Sequence, residues 1–159
     1  MVSTLRHGFF AATFAIVALL TGQVMAHDAQ EGPVRHAMMS VFDKPTDPLK
    51  VDPVVVSGDY AVAGWVQSGK GGRAVLQKTH GQWNIMVCGG DGLKDAKALE
   101  QTGMSTATAA ALAKAMNTAE SKVSADTRKK FAMFDGVVKV NAGHGNQHPE
   151  QPAVNTPSF

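Results

Sequence analysis

The chain has 159 residues, with 15 Lys and Arg against 13 Asp and Glu and a formal net charge of +2. So balanced a charge offers no electrostatic footprint for nucleic acid, and the single cysteine excludes an intramolecular disulfide. Stability must come from ordinary packing.

Arg6 precedes an uninterrupted apolar run from Phe9 to Leu20, which gives way to Thr21-Gly22-Gln23. A membrane-spanning helix needs about twenty apolar residues, and this run falls well short. Val24-Met25-Ala26 fits a small-x-small cleavage rule. Residues 1–26 therefore read as a cleavable signal peptide, cut between Ala26 and His27, and the mature product as a soluble periplasmic protein with no membrane span. Losing Arg6 with the signal leaves the remaining charges almost matched.

Residues 27–140 read as one α+β domain. His27 to Gly32 is polar and reads as loose chain. Val34, Ala37, Met38, Val41 and Phe42 then recur at helical spacing, which predicts an amphipathic helix over 33–43 with Pro33 in its first turn. Four β-rich segments follow: Leu49 to Val56, Tyr60 to Gln67, Arg73 to His80 and Trp83 to Cys88. Glycine-bearing turn signals separate them, and an antiparallel meander is the economical reading. Pro53 has no N–H to give to a ladder, so the first strand belongs at an edge or carries a bulge. In the fourth strand, simple alternation puts Trp83, Ile85 and Val87 on one face and Asn84, Met86 and Cys88 on the other.

Leu93 to Gln101 is spaced for a short helix closed by Gly103. Ser105 is an N-cap candidate for an alanine-rich helix through Lys122, with Leu112, Met116 and Val123 as its burying stripe. Ser124-Ala125-Asp126 opens a further turn or helix through Phe134, and Val137 to Val140 reads as a fifth strand. The Gly-, Pro- and polar-rich composition from Asn141 predicts a disordered tail over 141–159. The whole is an N-terminal helix, a four- to five-stranded antiparallel meander and C-terminal helices, an order that resembles the cystatin-like or NTF2-like arrangement.

Cleavage after Ala26 gives His27 a free α-amine beside its imidazole, a nitrogen pair suited to Cu(II), with Asp28 as a nearby oxygen donor. His36 and Met39 stand three residues apart on the first helix, so that an imidazole and a thioether share a face. Nitrogen with soft sulfur favours copper, Cu(I) especially. Met86 and Cys88 share a face of the fourth strand and form a second soft pair. His144 and His148 in the tail are a flexible pair of imidazoles able to take divalent transition metals. Against each stands a plainer role: a surface histidine, a packing methionine, a buried thiol. A nucleophilic Cys88 would need His80 beside it as base. No HExxH, GxSxG, CxxC or paired-acid motif occurs, and Gly89-Gly90-Asp91-Gly92 lacks dinucleotide-binding spacing. The chain reads as a non-enzyme.

The pieces GDYAVAGW, GGRAVLQKTHGQWNI and CGGDGLKDAKALEQTGM, within Val54 to Met104, resemble the small exported proteobacterial copper uptake system-associated proteins. The resemblance implies a periplasmic accessory role beside copper-import or copper-chaperone components, with copper as the ion handled. It fixes no ligand set. The competing reading is a metal-independent module that binds a small ligand or another protein through the open face of its sheet.

Overall fold

A computed structural model describes residues 24–140; most of the expected signal segment, and the tail with His144 and His148, lie outside the described residues. The first helix, α1, runs Val24–Phe42, nine residues further upstream than the spacing suggests, and so it carries the Ala26–His27 bond within its first turn. Met25, Ala26, Ala29, Gln30 and Glu31 are good helix formers. Pro33 therefore sits inside the helix rather than at its start, at the loss of one backbone bond. Side-chain anchors span that gap: Lys78 Nζ donates to Gln30 Oε1 at 2.9 Å, and Arg35 donates to Glu31 at 3.0 Å and to the Val51 carbonyl at 3.2 Å. The row that packs is Val34, Ala37, Met38 and Phe42. Val41, placed on that stripe by periodicity, is 59% exposed in the last turn.

The sheet is a five-stranded antiparallel meander in sequence order: β1 (Lys50–Ser57), β2 (Tyr60–Gln67), β3 (Lys70–Thr79), β4 (Gln82–Gly89) and β5 (Val137–Lys139). Ser68-Gly69 and His80-Gly81 all have positive φ, between 51° and 80°. These are two-residue hairpin turns whose twist suits the strands, which is why Lys70 to Gly72 join β3 instead of a loop. Pro53 lies in β1, an edge strand, beside a register shift between Val51 and Val54. Both accommodations open to a strand proline are thus used. At the start of the sheet, Gln67 Nε2 donates to the Phe42 and Asp47 carbonyls at 2.8 Å each, tying the α1–β1 connection to β2.

A 3₁₀ turn (Asp91–Lys94) and helices α2 (Ala96–Glu100), α3 (Thr106–Glu120) and α4 (Ala125–Phe131) precede β5. Their starts carry the side-chain caps the sequence offers: Asp95 Oδ1 accepts from the Lys97 and Ala98 N–H groups, Ser105 Oγ from Thr108 N–H and Ser124 Oγ from Thr127 N–H. The result is an α+β fold with apolar packing on both faces of the sheet. Val34 and Met38 of α1 cover Val54, Val56, Ala61, Ala63, Ala74 and Leu76 on one face. Leu99, Ala109, Leu112 and Met116 cover Val62, Val75 and Val87 on the other. Alternation along β2 and β3 assigns each residue its side.

The fourth strand breaks that alternation. Val75 pairs with Val87 but Leu76 with Ile85, so Met86 is an extra residue in a β-bulge. Trp83, Ile85 and Cys88 consequently pack with α1, while Val87 turns to the α3 side with Met86. The expected Trp83-Ile85-Val87 face is corrected accordingly: an inserted residue shifts the period of two by one.

Candidate functional site

α1 holds its outer face fixed through Arg35, whose guanidinium bonds Glu31 one turn back and the β1 backbone. His36 and Met39 project from the solvent side of this anchored helix, His36 exposed and Met39 42% exposed. Their i, i+3 spacing leaves the Cβ atoms about 5 to 6 Å apart, close enough for imidazole nitrogen and thioether sulfur to reach one ion. The next carboxylate along the helix face, Asp43, is committed to the Leu49 N–H at 2.7 Å. His27 lies in the same helix nine residues earlier, which separates the two backbone positions by about 13 Å along the axis. In the continuous helix, His27 and His36 belong to different ligand sets.

The other sequence candidates are not brought together. The bulge at Met86 puts Met86 against the α3-side cluster and Cys88 against the α1-side cluster, so the Met86–Cys88 pair does not share a face. Cys88 is 7% exposed, and burial pushes its thiol up to about 11 from an ordinary 9.0. His80 occupies the tip of the β3–β4 turn, whereas Cys88 pairs with Ala74 near the opposite end of that hairpin, about 20 Å away by strand rise. A Cys88–His80 nucleophile and base is therefore not assembled. Among the described residues, no group of three His, Cys, Asp or Glu side chains gathers at metal-binding distance.

Near neutral pH, native Cys88 is expected to react with iodoacetamide at least about a hundredfold more slowly than in urea-unfolded chain, because the raised pKa removes thiolate and burial blocks access. The pKa is higher in the folded state, so the contribution of Cys88 to stability is complete below pH 9.0 and is lost as pH rises towards about 11. Equal labelling rates for native and unfolded protein would show the thiol to be open.

The most heavily built polar centre was not among the sequence candidates. Arg73 is 1% exposed and Glu120 is 3% exposed. They form a two-pronged ion pair, Nε to Oε1 at 2.6 Å and Nη2 to Oε2 at 2.8 Å. Asp91 Oδ1 stands 3.1 Å from Arg73 Nη1 and 3.3 Å from Lys94 Nζ, and the guanidinium lies 5.4 Å from the centroid of the Phe131 ring. Two sequence signals pointed here: an arginine inside the apolar strand GGRAVLQ, and a glutamate four residues beyond Met116 on the buried row of α3. The close quarters also explain the glycines before Asp91. A Cβ on Gly90 would collide with the Phe134 carbonyl oxygen, so packing requires glycine at that position. With its anionic partner already paired inside, Arg73 is a pin between β3 and α3 and not an open anion site.

Comparison with protein families, with curated proteins and with solved structures finds no match for this chain.

Proposed function

We propose that this is a non-enzymatic periplasmic accessory protein of copper uptake or homeostasis, which takes copper as cargo on α1 and passes it to copper-import or copper-chaperone components. The observation that carries the reading is the placement of His36 and Met39 together on the solvent side of the helix. An exposed imidazole and a half-exposed thioether one helical turn apart make a soft, mixed nitrogen and sulfur pair, which suits Cu(I). The export signal expected at residues 1–26 and the sequence resemblance to copper uptake system-associated proteins support the same reading. His27, once freed by processing, supplies a separate amine-imidazole position for Cu(II).

Chelator-competition titrations with Cu(I) and Cu(II) on processed protein test both parts. Met39→Leu keeps the size of the side chain and removes the sulfur; it is expected to weaken Cu(I) binding by about tenfold or more and leave Cu(II) binding unchanged. One extra residue before His27 should do the reverse. Unchanged Cu(I) affinity in both Met39→Leu and His36→Ala would refute the α1 site.

A metal-independent interaction module is the second reading, but not through an open sheet face, since helices cover both faces. It is favoured by a specific surface, the exposed apolar side chains of Met133, Val137 and Val138.

A further inference from the structure

We propose that the Asp135–Gly136 bond is a modification site, at which the chain isomerises spontaneously to isoaspartate and loosens β5 from the sheet. The chain has two Asp-Gly bonds, Asp91–Gly92 and Asp135–Gly136. Glycine lacks the Cβ that shields a main-chain nitrogen, so an aspartate side chain reaches the N–H that follows it most easily when glycine carries that N–H. At residue 136 the backbone itself requires glycine, with φ at +72°. The two bonds differ in what holds the aspartate. Asp91 opens the 3₁₀ turn, and its Oδ1 stands 3.1 Å from Arg73 Nη1 and 3.3 Å from Lys94 Nζ. Two cations tether that carboxylate, and the turn fixes the peptide that would have to rotate beneath it. Asp135 is exposed in the connection between α4 and β5 and makes no ion pair among the described residues. The Gly136 N–H likewise has no carbonyl partner among them. Exposure alone does not separate the two sites, because the Asp91 side chain is itself 60% exposed.

The Gly136 nitrogen attacks Cγ of the protonated Asp135 carboxyl; the amide hydrogen and the carboxyl hydroxyl leave as water, and a cyclic succinimide closes. Water then adds at either ring carbonyl. Opening at the main-chain carbonyl leaves Cγ in the peptide link, so the backbone gains one carbon while the mass is unchanged. The water lost is regained, and no electrons are transferred. The added carbon falls immediately before β5, whose register on β4 pairs Val137 with Gly89, Val138 with Cys88 and Lys139 with Val87. The chain on either side of Asp135 is packed closely on the end of β4: a Cβ on Gly89 would stand 3.2 Å from the Gly136 carbonyl oxygen, and one on Gly90 would collide with that of Phe134. A lengthened link is not absorbed there unless β5 moves. With three residues, β5 has few ladder bonds with which to resist.

Ageing of the full chain lacking only the proposed signal segment, in warm neutral buffer for several weeks, tests the proposal. Tryptic peptides 131–139 and 79–94 are read by electron-transfer fragmentation, which distinguishes isoaspartate from aspartate. The expected result is isoaspartate accumulating in 131–139 at least about tenfold faster than in 79–94. In guanidinium-unfolded chain the two peptides should react at similar rates, because the tethers on Asp91 are then gone. Asp135→Glu, which would need a larger ring, should stay unmodified. In the isomerised fraction, amide exchange should quicken about tenfold or more at Val138 and at Val140, whose N–H donates to the Met86 carbonyl at 2.8 Å, while Val62 and Val75 stay protected. An Asp135 that stays unchanged in native chain while the unfolded chain reacts overturns the proposal, as do equal native rates at the two bonds. Unchanged protection of Val138 and Val140 in the isomerised fraction refutes the loosening of β5.

Discussion

Glu120→Ala is expected to lower the unfolding free energy by about 3 to 5 kcal/mol, because it leaves the Arg73 guanidinium charged and largely out of water. Arg73 Nε and Nη2 lose their partners at 2.6 and 2.8 Å, and only Asp91 and the Phe131 carbonyl remain within reach. Asp91 holds the cation from a side chain that is 60% exposed, so it offsets part of the loss and draws the effect towards the lower figure. Removing Asp91 itself should cost no more than about 1 kcal/mol, since that carboxylate is screened by solvent. The decisive comparison is Arg73→Met with Glu120→Leu in one chain. If the pair is a positional pin, this apolar double variant recovers most of the stability that either single change loses. Urea melts with an unchanged m-value would place the effect in the folded state. A loss below about 1 kcal/mol for Glu120→Ala would mean that Arg73 reaches water in the native protein.

Phe131→Ala is the second large effect, again about 3 to 5 kcal/mol. Phe131 is fully buried and is the buried residue of the seven-residue α4. Its ring lies under Arg73, and it approaches Gly64 so closely that a Cβ there would sit 2.8 Å from Cζ. Truncation opens a cavity, uncovers the guanidinium and removes the contact that docks α4 on β2 and β3. The consequence should extend beyond stability. Amide protection is expected to fall across α4 and β5 while β1 to β3 stay protected, because α4 sets the path into β5. A double-mutant cycle with Glu120→Ala should show coupling of about 0.5 to 3 kcal/mol, as both changes act on the same cation. Strict additivity would separate the two contacts.

Much of the secondary structure was legible because it rests on local rules. Ser105 and Ser124 cap the helices that they precede, and glycine marks each hairpin turn. Pro53 forecasts both an edge and a bulge, because a residue without an N–H has few places in a ladder. The start of α1 was less legible: Gly32-Pro33 reads as a boundary, yet the helix passes through it with the help of Lys78, which lies 48 residues from its partner Gln30. His36 and Met39 were placed correctly on one helix face, but nothing in their spacing told whether that face met the sheet or water.

By itself the sequence determined the α+β composition, the order of the four hairpin-linked strands, the caps and the turns, all of which depend on groups within a few residues of one another; the pairing of β5 with β4, which joins Val138 to Cys88, does not. Only the tertiary structure decided that an extra residue at Met86 turns Val87 and Cys88 to opposite sides and dissolves the soft-ligand pair. It alone brought Glu120 to Arg73 across 47 residues, left Met39 in solvent and gathered Met133, Val137 and Val138 at an open edge. The reason is the same in each case. Register, helix docking and the pairing of buried charges are fixed by what the rest of the chain excludes from water, and no local pattern carries that information.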